Sequence, residues 1–440
     1  MKKNKKPIDV IWFYEHVDRE VDIACAVKAL IEEQYGLHIE VVQHPYGEMV
    51  ANYQHLRPKV ILLPSVLGSY IPYLLEWPTA ICVNLRWEQI FYKGIQGNKV
   101  IKGSLARQNV IHHAWSDFTL AELHNQGVPK TNIYLNGNPV YSLYQPPFQQ
   151  YFTPRRELAQ RYGLDENKAW LFFPENYKWA FFSEDEIRRK EKPEEKMSMR
   201  QYCLASLCDV LGWCAELARS GLAEVIIRPR PFTPLETFRK FTNTVINIPE
   251  HLYILKDESV REWILASNLV VSAISTSLIE AAVARKPTYI LEPYPSHPLL
   301  HMPWQDLLPR IKNSADLICA IQNHQSENQF DALGQWAQTQ MMSHGDPLLN
   351  LARFIVDLVQ ERIPPPPRPV PQNFEFVPVG RLPTWLLYNY HKYYRRYERL
   401  RRRLNPRPFK LPPTNEKDFI SANELQGRLD RWKQLIPHDV

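Results

Sequence analysis

The chain has 440 residues, is 45% hydrophobic and carries a formal charge of +6 with 23% charged residues. That length holds two or three domains with real cores, and the mild basicity argues against a dedicated nucleic-acid binder. No run of about 18 apolar residues is present, so no membrane span is expected.

Six cysteines occur: Cys25, Cys82, Cys203, Cys208, Cys214 and Cys319. Three share one predicted helix at spacings that fit neither zinc nor a disulfide framework, which points to a reducing compartment. The basic start MKKNKKP is followed by an apolar run too short for a signal sequence.

Residues 8–140 alternate strand and helix. Strands are predicted at Ile8–Tyr14, His38–Gln43, Val60–Pro64, Thr79–Asn84, Val110–Trp115 and Asn132–Leu135, with helices at Arg19–Tyr35 and Ser116–Gln126. Ser116 suits the N-cap of the latter. This order implies a doubly wound parallel sheet. Tyr141–Arg155 is rich in proline and aromatics and reads as an interdomain linker.

A second α/β series follows. Its predicted strands are Trp170–Phe173, Val225–Arg228, Leu252–Leu255, Leu269–Val271 and Thr288–Leu291. Its helices are Tyr202–Ser220, Leu235–Phe241, Val260–Ala266, Leu278–Val283, Ala315–Gln322 and Leu348–Arg362. The charged stretch Glu184–Glu195 reads as a mobile loop. The expected domains are residues 1–140, a linker at 141–156, residues 157–362, and a Pro-rich linker with a basic tail at 363–440.

The most informative stretch is Ala266–Pro293. A short apolar strand breaks into Ser272-Ala273-Ile274-Ser275-Thr276-Ser277 and runs into a helix that Arg285, Lys286 and Pro287 stop. Ligands of open α/β sheets bind beyond the carboxyl ends of the strands. Hydroxyls and N–H groups at a helix start there suit a phosphate. The alternative for Ser277 and Glu280 is a capping box.

Several stretches together resemble the bacterial surface-carbohydrate (capsule and lipopolysaccharide) biosynthesis glycosyltransferase-like families. They are Asp18-Arg19-Glu20-Val21-Asp22, Trp115-Ser116, Gly127-Val128-Pro129, Gly137-Asn138-Pro139, Pro174-Glu175-Asn176-Tyr177, and Ser275-Thr276-Ser277 with Glu280-Ala281 and Lys286-Pro287. The resemblance covers about residues 8–300 and implies a GT-B-like fold: two doubly wound, Rossmann-like domains facing a cleft. The N-terminal domain would take the acceptor and the C-terminal domain the nucleotide sugar. Related enzymes with CMP- or CDP-activated donors carry R-P-H-P, whereas this chain has Arg228-Pro229-Arg230-Pro231. Arginine holds a phosphate bidentately but is no general acid near neutral pH.

In this reading Ser275, Thr276, the Ser277 N–H and Glu280 bind nucleotide phosphate, and Arg228 and Arg230 add charge. Arg228 alternatively forms a strand-end ion pair. Glu20, Asp18 and Glu88 are the candidate general bases, and acids at a helix start are the alternative for the first two. Arg19, Trp87, Asn176 and Tyr177 are candidate substrate contacts, with core packing the alternative for Trp87.

No cofactor is expected, the nucleotide sugar being substrate, and no metal: His297 and His301 lack an acidic cluster. The expected activity is sugar transfer to a surface polysaccharide or lipid-linked glycan. A CDP-polyol-dependent polyol-phosphate transferase and a catalytically inactive nucleotide-sugar-binding scaffold are the alternatives. An epimerase would need more carboxylates in one cleft.

The tail Thr384–Arg407 places Leu386, Tyr390, Tyr393, Tyr397, Leu400 and Leu404 on one helical stripe opposite arginines. Such a helix would sit on an anionic membrane surface, or dock on the first domain. The expected location is cytoplasmic, peripheral on the inner face of the plasma membrane.

Overall fold

The computed structural model describes residues 8–44, 50, 53, 55–68, 70–91, 99–190, 192–231, 233–324, 331–369 and 419–436, with scattered positions between 386 and 400. From the N-terminus come β1 (Val10–Tyr14), α1 (Asp22–Tyr35), β2 (Ile39–Gln43), β3 (Val60–Leu63), α2 (Ile71–Glu76) and β4 (Ile81–Asn84). Then follow α3 (Ser104–Asn109), β5 (Ile111–Ala114), α4 (Asp117–Asn125), β6 (Ile133–Leu135), α5 (Pro139–Ser142), α6 (Arg155–Tyr162) and β7 (Ala169–Pro174). Next are α7 (Glu184–Arg188), α8 (Pro193–Arg219), β8 (Ala223–Arg228), α9 (Leu235–Val245), β9 (Leu252–Ile254), α10 (Val260–Ala266) and β10 (Leu269–Ser272). Last are α11 (Ser277–Val283), β11 (Thr288–Leu291), β12 (Arg310–Ile311), α12 (Ser314–Gln322), α13 (Asp331–Met341), α14 (Pro347–Val359) and α15 (Ala422–Leu435).

The strands form two six-stranded parallel sheets, ordered β2-β1-β3-β4-β5-β6 and β12-β11-β10-β7-β8-β9. Every residue of β1, β3, β5, β8 and β10 is buried. Such continuous burial is what a parallel sheet covered on both faces requires, and it encloses polar residues as well, His112 and His113 in β5 and Glu224 in β8. The chain divides into two units. Of the described residues, one contains those within Met1–Gln89, Gly97–Ser142 and Gln340–Val440, the other those within Ile90–Gln96 and Leu143–Thr339.

That division moves the last strong helix. Leu348–Arg362 was expected to close the second domain, but α14 belongs to the first unit. Tyr134 of β6 stacks on Phe354 with ring centroids 3.7 Å apart, and its hydroxyl donates to the Asn350 carbonyl. The Asn136 amide donates to the Pro347 carbonyl at 2.8 Å. Gly137 makes this junction possible: its φ is +115°, and a Cβ there would lie 2.4 Å from the Met341 carbonyl oxygen.

Two further expectations change. The stretch Glu184–Glu195 is not an open loop. Ser183 and Glu186 form a capping box that starts α7, and α8 begins at Pro193. A C-terminal helix does pack on the first unit, but it is α15 (Ala422–Leu435). Arg428 pairs with Asp22 of α1 at 2.9 Å, Lys433 with Glu33 at 2.7 Å, and Trp432 is fully buried. Much of Thr384–Arg407, including Leu404, lies outside the described residues. Its described positions are helical, and Tyr390, Tyr393, Tyr397 and Leu400 are exposed. Among the described residues no helix is long and apolar enough to cross a membrane. The cysteines are free, and burial pushes the Cys203 and Cys214 thiols up to about 12.

Candidate functional site

Each sheet has one place where the chain reverses its direction of travel, and ligands of open α/β sheets bind there, beyond the strand ends. In the second unit that place lies between β7 and β10. In the first it lies between β1 and β3.

At the β7–β10 edge, the Ser272 hydroxyl donates to the Pro174 carbonyl at 2.7 Å and joins the two strand ends. The next residue after β7, Glu175, donates its N–H to the Arg228 carbonyl at 3.0 Å. Its carboxylate accepts the Tyr177 N–H and lies 3.5 Å from the Arg230 N–H. Burial pushes the Glu175 carboxyl up to about 7, against the pull of those donors and of the Arg230 charge. A carboxyl that exchanges its proton near neutral pH therefore sits under the arginine at this edge. The sequence signals were its position immediately after the first strand of the unit and its place in the Pro174-Glu175-Asn176-Tyr177 stretch, which did not single it out as a site residue.

The hydroxyl loop is partly self-satisfied. Ser275 Oγ accepts the Ser277 N–H at 3.2 Å and donates to Ser277 Oγ at 3.0 Å. The Ser277 N–H, expected to face a phosphate, is thus taken by a side chain two residues back. The Leu278 and Ile279 N–H groups are engaged by the Ser275 and Thr276 carbonyls. What the loop presents is hydroxyls, with Thr276 and Ser277 half-buried and Ser275 at 9% exposure.

Glu280 is neither part of a capping box nor turned to that loop. Tyr144 donates to its carboxylate at 2.5 Å, and Gln145 donates to the Val283 carbonyl. Burial raises the Glu280 carboxyl, opposed by Arg261 and by Tyr144. These contacts fasten the segment that follows α5 onto α11. Arg228 also has a structural task. Its guanidinium donates twice to the Glu258 carbonyl, at 3.2 and 3.1 Å. Tyr177 is fully buried against Phe173 and Asn176 is half-buried, so of the two only Asn176 reaches the surface. His301 bonds Asp306, and His297 lies 2.9 Å from Ser198. Among the described residues no group of three His, Cys, Asp or Glu is placed to hold a metal ion.

At the β1–β3 edge the chain enters α1 through one π-helical turn, Val17–Val21, which buries Glu20 completely. Glu20 accepts from the Glu15 N–H at 2.8 Å and from Arg19 at 2.9 and 2.6 Å. Burial raises this carboxyl and Arg19 opposes the rise. Arg19 reaches on to Glu88 at 3.0 Å, and Lys99 takes the other Glu88 oxygen. Burial pushes Glu88 up, but the Lys99 and Arg19 contacts outweigh it and hold the carboxyl below its usual range. The structure thus brings Arg19, Glu20 and Glu88 into one network. Glu20 is sealed within it, Glu88 is 48% exposed, and Asp18 is exposed. Trp87 is buried and stacks on Trp12 at 6.3 Å.

No protein family and no curated protein matches this sequence. Solved structures match its fold. One is a Listeria monocytogenes protein assigned as a UDP-N-acetylglucosamine 2-epimerase: TM-score 0.50, 12% identity, covering 83% of this chain and 99% of that one. Another is the wall teichoic acid polymerase TagF: TM-score 0.54, 10% identity, covering 83% and 92%. A TagF variant soaked with CDPG gives a TM-score of 0.53 at 10% identity, covering 82% and 91%. The chain therefore has the GT-B type of fold, with two parallel six-stranded sheets flanked by helices.

Proposed function

We propose that this protein is a glycosyltransferase that moves a group from a nucleotide-activated donor to a surface polysaccharide or lipid-linked glycan. The observation that carries the reading is the β7–β10 edge: the two strand ends are joined through Ser272, Glu175 after β7 faces the Arg230 N–H, and the hydroxyl loop Ser275–Ser277 leaves β10. Arg230 and the hydroxyls would hold the donor phosphates and stabilise charge on the leaving nucleotide. Glu88 or Asp18, the exposed carboxylates of the β1–β3 edge, would take the acceptor proton. The donor nucleotide is substrate, and no metal is assigned a role.

The wall teichoic acid polymerase of the same fold favours a second reading, a polyol-phosphate transferase with a CDP-linked donor. The basic tail would hold either enzyme at an anionic membrane surface. The test is nucleotide release from a panel of CMP-, CDP-, UDP- and GDP-activated sugars and CDP-glycerol, with and without glycan acceptor. Release from a sugar donor supports the transferase, and release from CDP-glycerol alone supports the second reading. Nucleotide binding with no release from any donor marks an inactive scaffold and overturns both.

A further inference from the structure

Arg86 follows β4 by two residues and is 4% exposed. Its φ is +47°, a left-handed backbone that a non-glycine residue adopts only under strain. Two side chains hold it there. Asn84 Oδ1 accepts the Arg86 N–H at 3.3 Å, and the Gln89 amide donates to the Arg86 carbonyl at 3.1 Å. Both are anchored in turn, Asn84 to both backbone groups of Val66 and Gln89 to the His113 carbonyl and the Trp115 N–H. The ends of β3, β4 and β5 are thus knitted around one arginine.

Among the described residues that arginine forms no ion pair. Its Nη1 is buried without a hydrogen-bond partner. Among the described residues no carboxylate pairs with it, and Glu122 acts on it only through space. The titratable groups beside it, His112 and His113, are neutral acceptor–donor rings. His112 accepts from Asn84 and donates to the Ala106 carbonyl. His113 donates to the Leu85 carbonyl and faces the Asn136 amide. Burial lowers the guanidinium to about 10. The indole N–H groups of Trp87 and Trp115, on the same two loops, are also buried without acceptors. Buried charges are ordinarily paired, because an uncompensated one is costly. Here a buried guanidinium is placed at a cost in backbone strain, and among the described residues no acceptor meets its Nη1.

We propose that Arg86 forms an oxyanion subsite in the N-terminal unit that takes a carboxylate or phosphate group. A planar guanidinium fork fits either one bidentately. The subsite does not depend on what binds at the β7–β10 edge.

The experiment follows stability and calorimetric binding of the full chain at constant ionic strength. The probes are inorganic phosphate and glucuronate, with glucose as a neutral control. Wild type should bind at least one of the two anions and not glucose, and which one it binds separates the two sources. Arg86→Met should lose roughly tenfold or more in affinity, and Arg86→Lys should lose less. The loss in Arg86→Met, at a residue of the N-terminal unit, places the binding there. Without anion, Arg86→Met should melt at or above the wild-type temperature, because an unpaired buried charge has been removed. Absence of anion binding by wild type, affinity in Arg86→Met within twofold of wild type, or a lowered melting temperature or failure to fold of that variant would each overturn the proposal. The last result would show that the guanidinium serves the fold.

Discussion

The two strand-end edges solve the problem of charge differently. At the β1–β3 edge Arg19, Glu20, Glu88 and Lys99 neutralise one another, and the innermost carboxylate is fully enclosed. At the β7–β10 edge one buried carboxyl, Glu175, sits below Arg230 with hydroxyls nearby, and its proton is held loosely enough to leave near neutral pH. The first arrangement fixes side chains in place. The second leaves a carboxyl whose charge an incoming anion can change, and it is there that we propose the phosphates bind.

The largest effect expected from this contrast is on stability. Arg19→Met strands the enclosed Glu20 carboxylate and should cost about 3–5 kcal/mol in denaturant unfolding. Arg230→Met, at the other edge, should cost far less. Equal costs would erase the contrast.

The two units should also respond to pH with opposite sign. Burial lowers His112 and His113 to about 4 from an ordinary 6.5. Their contribution is present above about 6.5 and is lost as pH falls towards 4, at about 3 kcal/mol for each independent histidine. Glu175 is raised from 4.5 to about 7, so its contribution is full below about 4.5 and is lost as pH rises to about 7. Glu175→Gln should therefore gain about 3 kcal/mol over wild type at pH 8 and nothing at pH 4. Parallel melting profiles of the two proteins from pH 4 to 8 would refute this.

Two smaller effects concern turnover. Glu88→Gln should lower kcat by about a hundredfold with nucleotide affinity unchanged, as expected of a base acting on the acceptor. Full activity in that variant shifts the role to Asp18. Arg230→Lys keeps the charge but loses the fork, and should weaken nucleotide binding by about tenfold. Wild-type affinity in that variant would make Arg230 a bystander.

The sheets were legible because buried parallel strands announce themselves as short apolar runs, and Ser116 caps α4 as its position implied, accepting the Thr119 N–H. The placement of α14 was not legible. Its apolar face says that it packs, but the choice of partner is made by Tyr134, Asn136 and the close approach at Gly137, which join residues some 200 positions apart in sequence. Helix α15 escaped notice because only Leu429 and Trp432 within it are buried, between charged residues whose partners, Asp22 and Glu33, lie near the other end of the chain.

The sites show the same limit. The order of motifs pointed to the strand ends, and the residues named there lie there: Asp18 to Glu20 after β1, Arg228 and Arg230 at and after β8, and Ser275 to Ser277 after β10. Which of those groups is already engaged is a property of packing. Sequence therefore could not show that Ser275 occupies the Ser277 N–H, that Tyr144 holds Glu280, or that Nη1 of Arg86 meets no acceptor among the described residues.

The central claim is that the β7–β10 edge binds the phosphates of a nucleotide. Calorimetric titration of wild type and of a Ser275→Ala, Thr276→Ala double variant with CMP, CDP, UDP and GDP tests it most directly. Wild type should bind at least one of the four, and the double variant, melting within a degree or two of wild type, should bind it at least about tenfold more weakly. Wild type that binds none of them, or a folded double variant of unchanged affinity, would contradict it.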